Sequence, residues 1–379
     1  MAELPSAFSY VKRTGFAKRE ARSFALPVLK ATKYGYSNAR VRVMKSLLLK
    51  KDFLGELTRV RSVDAVVDML EKTHYKDNLV KLSMHYHGSD LVQVATALHF
   101  AEVAEKLGRI TPDGDRKIFN LILTKWDITN AKSILNARRV GKKYAEVAPF
   151  IIPIGSFTET DVKSLLEGSG EGVFLKFAKT PLGRRLLSGM AVSSTELEKL
   201  FMSFSSADIV KIEAVLDSFY YSLAGAITKT GAKDLGQMAR ISKKEIDLKN
   251  ATIITRLKQH GIADRAAIEK YLIRGGSRQF SEYVQLIDAK STEETLKAAA
   301  RLFELKESPQ TPAGLETMLN KKLAAMRLGA FYRSVLSVGT ILGFLFLQEE
   351  EINNLRKIAV GKEFGMDDEK IREMLVFPN

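Results

Sequence analysis

Apolar positions along the chain recur every three or four residues, which is the spacing of an amphipathic helix. The spacing is clearest over residues 63–70, 91–107 and 209–223. Alternation of apolar and polar positions, which would indicate strands, is nearly absent. The short apolar run 150–154 contains Pro153, and we expect it to be a loop or the start of a helix. The pattern therefore predicts an all-α protein.

One helical phrase occurs three times, and each copy is built around an asparagine. An acidic residue stands three positions before the asparagine, an isoleucine four positions after it and a basic residue eight positions after it. The three copies are Asp127, Asn130, Ile134 and Arg138; Asp247, Asn250, Ile254 and Lys258; and Glu351, Asn354, Ile358 and Lys362. In a helix these positions form one drifting stripe on the surface.

Two further helical elements precede each phrase at nearly constant distances along the sequence. The nearer one holds a leucine 32, 34 and 35 residues before the three asparagines. The earlier one reads as a loop, a helix, a turn and a second helix, in which Ser62 and Ser291 have the position of N-caps. Ser291 and Glu294 also show the spacing of a capping box. This regular order predicts three copies of one helical unit of about 105–120 residues.

The predicted units divide the chain into three helical domains behind a basic extension. The ranges are 1–35 for the extension, then 36–143, 144–262 and 263–379 for the repeats. Asn38 begins a partial fourth phrase, in which Gly35 replaces the acid. The extra phrase indicates that the three units close around an axis, or that the N-terminal helix caps the first unit.

Charge is distributed unevenly along the 379 residues, which carry a formal net charge of +15. Residues 1–62 contain 14 lysines and arginines against 4 acidic residues, whereas residues 349–379 contain 5 against 8. This gradient indicates that one end of the protein lies near an anionic partner, either phospholipid or nucleic acid, although a solvated basic arm would look the same. The chain has no cysteine, which excludes disulfides and thiol chemistry.

No stretch reaches the roughly 20 apolar residues that a membrane-crossing helix needs. The nearest is 331–347, which contains Arg333 and is followed at once by acidic residues. We expect this segment to be a buried core helix.

Residue patterns typical of catalysis or cofactor binding are missing. The glycines of 225–231 lack the spacing of a phosphate-binding loop. His85 and His87 would diverge by about 200° on a helix, so a shared metal ion would require extended backbone. We predict no catalytic residue, no cofactor and no metal site.

The repeated phrase, the opening Y-S-N-A-R-V-R-V-M-K-S-L-L at 36–48 and the closing N-L-R-K-I-A-V-G-K-E-F-G at 354–365, followed by 366–375, resemble one known family. It is the C-subunit family of the archaeal and bacterial V-type/A-type ATP synthases, whose counterpart in the eukaryotic vacuolar ATPase is the d subunit. The resemblance covers about residues 34–375.

The resemblance implies three similar helical domains around a pseudo-threefold axis, forming a funnel. It implies a non-catalytic central-stalk subunit of a rotary ATPase that moves protons or sodium ions. Such a subunit is a socket between the rotor shaft and the membrane proteolipid ring. It would be one copy in a hetero-oligomeric complex, peripheral at the cytoplasmic face of the cell membrane. Shaft subunits and the ring are the implied partners, and the basic end suggests anionic lipid headgroups as another.

The repeated stripe has two interpretations. In the structural one, the acid starts or kinks the helix, the asparagine bonds a neighbouring loop and the basic residue lies near the negative end of the helix dipole. In the other, the three stripes contact the shaft. The candidate partner-binding residues are then Asn130, Asn250, Asn354, Arg138, Lys258 and Lys362.

The alternative function is a basic helical-repeat scaffold for nucleic acid. The charge supports it, but aromatic residues are not interleaved with the basic ones as stacking sites would require. We therefore do not expect nucleic acid as the partner.

Overall fold

The computed structural model describes residues 30–167, 170–189, 193–228, 236–333 and 336–377. This part of the chain contains α-helices, short 3₁₀ turns and no strand, which confirms the all-α prediction. The three-domain arrangement around an axis stays a prediction. The predicted extension 1–35 lies outside the described residues up to position 29.

The helices fall into three long-helix pairs separated by groups of shorter helices. In chain order they are α1 Lys30–Ser46, α2 Lys51–Leu57, α3 Val63–Leu70, α4 Lys76–Leu82, α5 Gly88–Ile110, α6 Arg116–Arg139, α7 Tyr144–Val147, α8 Glu159–Leu166, α9 Gly170–Lys179, α10 Pro181–Gly189, α11 Ser194–Ser203, α12 Ser206–Thr228, α13 Gly236–Gln259, α14 Arg265–Glu269, α15 Val284–Ile287, α16 Thr292–Leu302, α17 Pro312–Arg333, α18 Val338–Glu363 and α19 Asp368–Met374.

The three copies of the phrase lie on α6, α13 and α18, which have 24, 24 and 26 residues. Their acidic residues Asp127, Asp247 and Glu351 are interior to these helices rather than at their first turns. Of the two expected roles, the one in which the acid starts the helix is therefore wrong, whereas the one in which it kinks the helix stays a prediction. A buried acid in mid-helix is tolerated here because donors outside the helix satisfy it, as described below.

The same helices share an ending that includes a glycine eleven positions after the asparagine. Gly141, Gly261 and Gly365 have φ of 73°, 79° and 63°, the left-handed region. The next residue donates its N–H back across the turn, for example from Lys142 to the carbonyl of Ala137 at 3.0 Å. This is the Schellman pattern, and it stops each helix one residue after its phrase's basic residue.

The described chain divides into two compact units. One comprises the described residues up to 120 together with 148–154 and 329–375. Its centre is α5 packed along α18, with α1, α3 and α4 around them. Fifteen residues of α5 and most of α18 are buried, because both helices are apolar on nearly every side.

The other unit comprises 121–147, 155–328 and the described residues from 376. Within it α12 packs on α13, α9 packs on α8, α10 and α11, and α16 packs on α13. This division into two units describes compactness and does not test the predicted repeat boundaries, which stay a prediction.

Several local predictions are confirmed. The hydroxyls of Ser62 and Ser291 accept from the N–H groups of Ala65 and Glu294, as N-caps do. Glu294 itself accepts from the N–H of Lys290 at 2.8 Å instead of completing a box with Ser291.

Two apolar segments were predicted to be a loop and a core helix. Residues 151–154 form an irregular loop that follows a 3₁₀ turn, as expected. The segment 331–347 is interrupted, because α17 ends at Arg333 and α18 begins at Val338 with Ser337 as N-cap. Its second half is buried core. None of the described helices is both long and apolar enough to cross a membrane.

Candidate functional site

The acidic residue of each phrase holds a loop that is distant in sequence. The carboxylate of Asp127 accepts from the N–H and hydroxyl of Ser156 at 2.6 and 2.9 Å, and from the N–H of Phe157 at 3.2 Å. Asp127 is only 2% exposed. Burial raises the pKa of Asp127, and the three hydrogen bonds oppose that rise. We call this arrangement of helix acid and loop backbone a clasp.

The second phrase makes the same clasp and adds its asparagine. Asp247 accepts from the N–H of Arg278 at 3.1 Å and from the hydroxyl of Tyr283 at 3.2 Å. The amide of Asn250 donates to the carbonyl of Ile273 at 2.9 Å and accepts from the N–H of Ile273 at 2.7 Å. The expectation that the asparagine bonds a neighbouring loop is confirmed for Asn250.

The third phrase clasps a loop near the start of the chain. Glu351 accepts from the N–H of Leu49, a residue 302 positions earlier, and from the hydroxyl of Tyr75 at 2.7 Å. The amide of Gln348 donates to both Tyr75 and Glu351 at 3.1 Å. Burial and the nearby carboxylate raise the pKa of Tyr75, so its phenol stays protonated and continues to donate.

Two of the three clasps contain a glycine against the carboxylate. A Cβ atom at Gly276 would lie 2.3 Å from Oδ1 of Asp247, and one at Gly155 would meet Asp127 in the same way. Asp127 and Asp247 thus reach their loops only because these positions lack a side chain.

The basic residues of the first two phrases bond backbone carbonyls of segments 27 to 31 residues later in the chain. The guanidinium of Arg138 donates to the carbonyls of Leu165 and Leu166 at 3.3 and 2.8 Å, at the end of α8. The ammonium of Lys258 donates to the carbonyl of Ala289 at 2.9 Å. A cation beside the last carbonyls of a helix is favourable, because those carbonyls form the negative end of the dipole.

The basic residue of the third phrase has a different partner. Lys362 pairs with Asp368 at the start of α19, and its side chain is only 6% exposed. The three asparagines, Asn130, Asn250 and Asn354, are also buried within the chain. Partner binding by these six residues stays a prediction.

A buried ionic cluster on α6, α12 and α13 was not predicted from the sequence. Lys132 pairs with Asp217 at 2.5 Å. Glu213 accepts from the amide of Asn136 at 2.6 Å and pairs with Arg256. The side chains surround a cavity of about 120 Å³ whose lining also includes Lys249 and Glu316. A spacing of four residues in both Lys132/Asn136 and Glu213/Asp217 places each pair on one side of its helix, but it does not indicate which helices face each other.

Chemically, these groups are suited to holding helices and loops together. Each clasp carboxylate accepts from at least two donors, although Oδ2 of Asp247 is buried without a hydrogen-bond partner, and the cluster carries both signs of charge. Among the described residues no three histidine, aspartate or glutamate side chains are grouped so that they could hold a metal ion.

Three long helices, each tied to a distant loop by a buried acid, belong to an all-α protein. A sequence model of the ATP synthase (C/AC39) subunit family matches residues 37–374. The chain belongs to this family, and the resemblance seen in the sequence is confirmed.

Curated relatives agree with the family over nearly the whole chain. The C subunit of the A-type ATP synthase of Methanosarcina acetivorans is 29% identical over 350 residues, which is 90% of this chain and 92% of that protein. The protein of the same name from Methanosarcina barkeri is 27% identical over 348 residues, covering 90% and 92%. That of Pyrococcus abyssi is 28% identical over 365 residues, covering 92% and 91%. The archaeal type expected from the sequence agrees with these relatives.

Proposed function

We propose that the protein is a non-catalytic central-stalk subunit of a rotary V-type/A-type ATP synthase. It is a socket that couples the rotor shaft to the membrane proteolipid ring during proton or sodium transport. The observation that carries this proposal is the family match over residues 37–374, together with relatives that are named as C subunits of A-type ATP synthases. None of the three relatives named above supports the alternative, a scaffold for nucleic acid.

The clasps suit a part that transmits torque. A rotating coupling loses work if its helices shift against their loops, and each clasp ties a helix interior to a loop 29 to 302 residues away through buried hydrogen bonds. Hydrogen bonds shielded from water are electrostatically stronger than exposed ones, so they resist movement of the helix against its loop. The interfaces to shaft and ring also have to be strong, and nanomolar affinity corresponds to about −12 kcal/mol.

The proposal includes the arrangement of the molecule. We infer three helical domains, 36–143, 144–262 and 263–379, that form a funnel around a pseudo-threefold axis. The agreement among the clasps on α6, α13 and α18 supports this inference. The protein would be a single copy within the complex and peripheral at the cytoplasmic face of the membrane. Its basic N-terminal part would face the ring and anionic headgroups.

Isolation from native membranes tests the assignment. An affinity-tagged chain, expressed in its own organism and extracted with mild detergent, is expected to bring down the shaft subunits and the proteolipid ring. Mass spectrometry identifies them, and ATP hydrolysis by the complex gives an independent readout. A chain that is recovered folded but without either partner would contradict the proposal.

The two interpretations of the stripe can be separated in the same assay. In the structural interpretation, charge reversal at Arg138 or Lys258 lowers the melting temperature, because an acid then faces backbone carbonyls. In the shaft-contact interpretation it removes shaft binding while the melting temperature is unchanged. Lys297→Glu, on an exposed helix surface, is a matched control for the change of charge.

A further inference from the structure

The outer surface of α1 combines exposed apolar side chains on one side of the helix. Tyr36, Val43 and Leu47 are 67%, 59% and 57% exposed. At 100° per residue, Tyr36 and Val43 lie about 20° apart around α1, and Leu47 follows in the turn directly after the helix ends at Ser46. The two helical residues span roughly 10 Å along the helix axis. Apolar residues aligned in this way form a continuous strip that water solvates poorly.

The inner side of α1 is held by contacts with the rest of the protein, and the apolar strip therefore faces outward. The hydroxyl of Tyr34 donates to Asp115 at 2.6 Å, and Val41 is fully buried. The amide oxygen of Asn38 accepts from the N–H of Leu336 at 3.2 Å. Rotation of α1 to hide its apolar strip would break these contacts.

Positive charge surrounds the strip. The helix contains five lysines and arginines and no acidic residue. Arg40 and Arg42 are exposed, and neither forms an ion pair with a carboxylate of the described chain. Apolar side chains with cations beside them are two of the features of a helix that lies in a membrane interface, where the apolar residues enter the headgroup region and the cations lie near the phosphates.

We propose that the outer surface of α1 binds an anionic lipid surface. Tyr36, Val43 and Leu47 enter the headgroup region, while Arg40 and Arg42 pair with lipid phosphates. The inference deepens the proposed peripheral membrane function, on which it rests, by naming the element and its mode of contact. A second exposed apolar site, Phe364, stands beside Glu363 and Asp367 and would be repelled by the same lipid.

Vesicle co-sedimentation of the full chain provides the test. The probes are phosphatidylcholine vesicles with and without added phosphatidylglycerol, at low and high NaCl. At low salt the chain is expected to bind the anionic vesicles and not the neutral ones, and part of the anionic binding should persist at high salt. Arg40→Gln with Arg42→Gln should lower the low-salt partition coefficient roughly thirtyfold, since each cation near an anionic surface contributes about a factor of five.

The apolar part is tested separately because salt does not screen it. Tyr36→Ser, Val43→Ser and Leu47→Ser together should remove the binding that persists at high salt and should leave an electrostatic remainder at low salt. Phe364→Ser is the matched control, because this residue is 80% exposed but lies among acids, and its change should leave vesicle binding unaltered. Melting temperatures verify that each variant folds.

Unchanged vesicle binding in both α1 variants would overturn the inference, as would a chain that binds no anionic vesicles. Loss of ring co-isolation with unaltered vesicle binding would show that this surface contacts a protein, and it would overturn the lipid assignment too. Co-isolation of the wild-type chain with the shaft is measured in parallel. A chain that co-isolates with the shaft but binds no anionic vesicles contradicts the lipid inference alone, and the proposed function is then unaffected.

Discussion

Gly155 lies directly against the carboxylate of Asp127, and a Cβ atom at this glycine would be 2.3 Å from Oδ1 of the acid. The φ of Gly155 is also 93°, a conformation that other residues rarely adopt. The glycine and the acid therefore depend on each other structurally, although 28 positions separate them in the sequence.

Replacement of this glycine should release the loop from the helix. Gly155→Ala is expected to lower the free energy of unfolding by about 2–4 kcal/mol, through the clash with Asp127 and the strained φ. Chemical denaturation measures the change. Gly225→Ala in α12, where a Cβ would meet nothing within 4 Å, is the control and should not destabilise. In a double-mutant cycle with Asp127→Ala the losses should be less than additive, and full additivity would show that the two residues act separately.

In the third clasp the acid is a glutamate, whose side chain is longer than that of aspartate. Glu351 reaches Leu49 and Tyr75 with one more methylene than Asp127 and Asp247 have. Glu351→Asp should therefore withdraw the carboxylate from buried donors and lower the free energy of unfolding by about 1–3 kcal/mol. The exposed Glu369→Asp serves as the control. Equal stability of Glu351→Asp and the wild type would show that Glu351 does not hold this loop.

His99 predicts a dependence of stability on pH. Burial lowers the pKa of His99 from 6.5 to about 3, and the charges of His74 and Lys106 add to the effect. Above pH 6.5 the imidazole is neutral in both the folded and the unfolded state. Below pH 6.5 the unfolded state binds a proton that the folded state does not. The free energy of unfolding therefore decreases as the pH is lowered, by at most ~1.4 kcal/mol per pH unit.

The variant His99→Gln should therefore have a shallower decline in the free energy of unfolding between pH 6.5 and 4.5. Its stability at neutral pH is expected to be lower, because the ring of His99 lies 4.8 Å from that of Tyr75, centroid to centroid. For this reason the slopes are compared rather than the absolute values. The exposed His260→Gln is the control. Parallel slopes for His99→Gln and the wild type would contradict the assignment.

Removal of one partner of the buried pair Lys132–Asp217 should destabilise the protein more than removal of both. Asp217→Leu leaves the ammonium of Lys132 without its carboxylate at 2.5 Å and is expected to cost about 3–5 kcal/mol. Lys132→Met combined with Asp217→Leu should recover much of that loss, because the buried ammonium of Lys132 is removed together with its carboxylate, while Lys249 keeps Glu316 and Glu213 as neighbouring charges. Thermal and chemical unfolding measure both variants. A double variant as unstable as Asp217→Leu would show that packing, not charge, is decisive here.

The sequence predicted the helices and the register of the repeated phrase, because both depend on spacing within one helix. It also predicted that an asparagine bonds a loop, which Asn250 does. It did not predict that Asp127 selects the loop at Ser156. That pairing depends on the tertiary contacts between distant segments, and the periodicity within one helix does not specify those contacts.

Two missed features did leave a signal. The glycines at 141, 261 and 365 extend each phrase by a further repeated position, which a longer comparison of the three copies would have found. Gly155 and Gly276 lie one and two positions before the residues that donate their N–H groups to the clasps, Ser156 and Arg278. The ionic cluster could not be predicted in the same way, because facing pairs require knowledge of which helices are neighbours.

The bond between Leu49 and Glu351 also has a consequence for biosynthesis. The unit that contains both residues lacks its last segment until residues 329–375 have been translated. At ~5–20 residues per second, the intervening 121–328 take roughly 10–40 s to emerge. Throughout that interval α5 has no α18 to cover its apolar surface. The nascent chain thus depends on being shielded from aggregation before its first helices can reach their final neighbours.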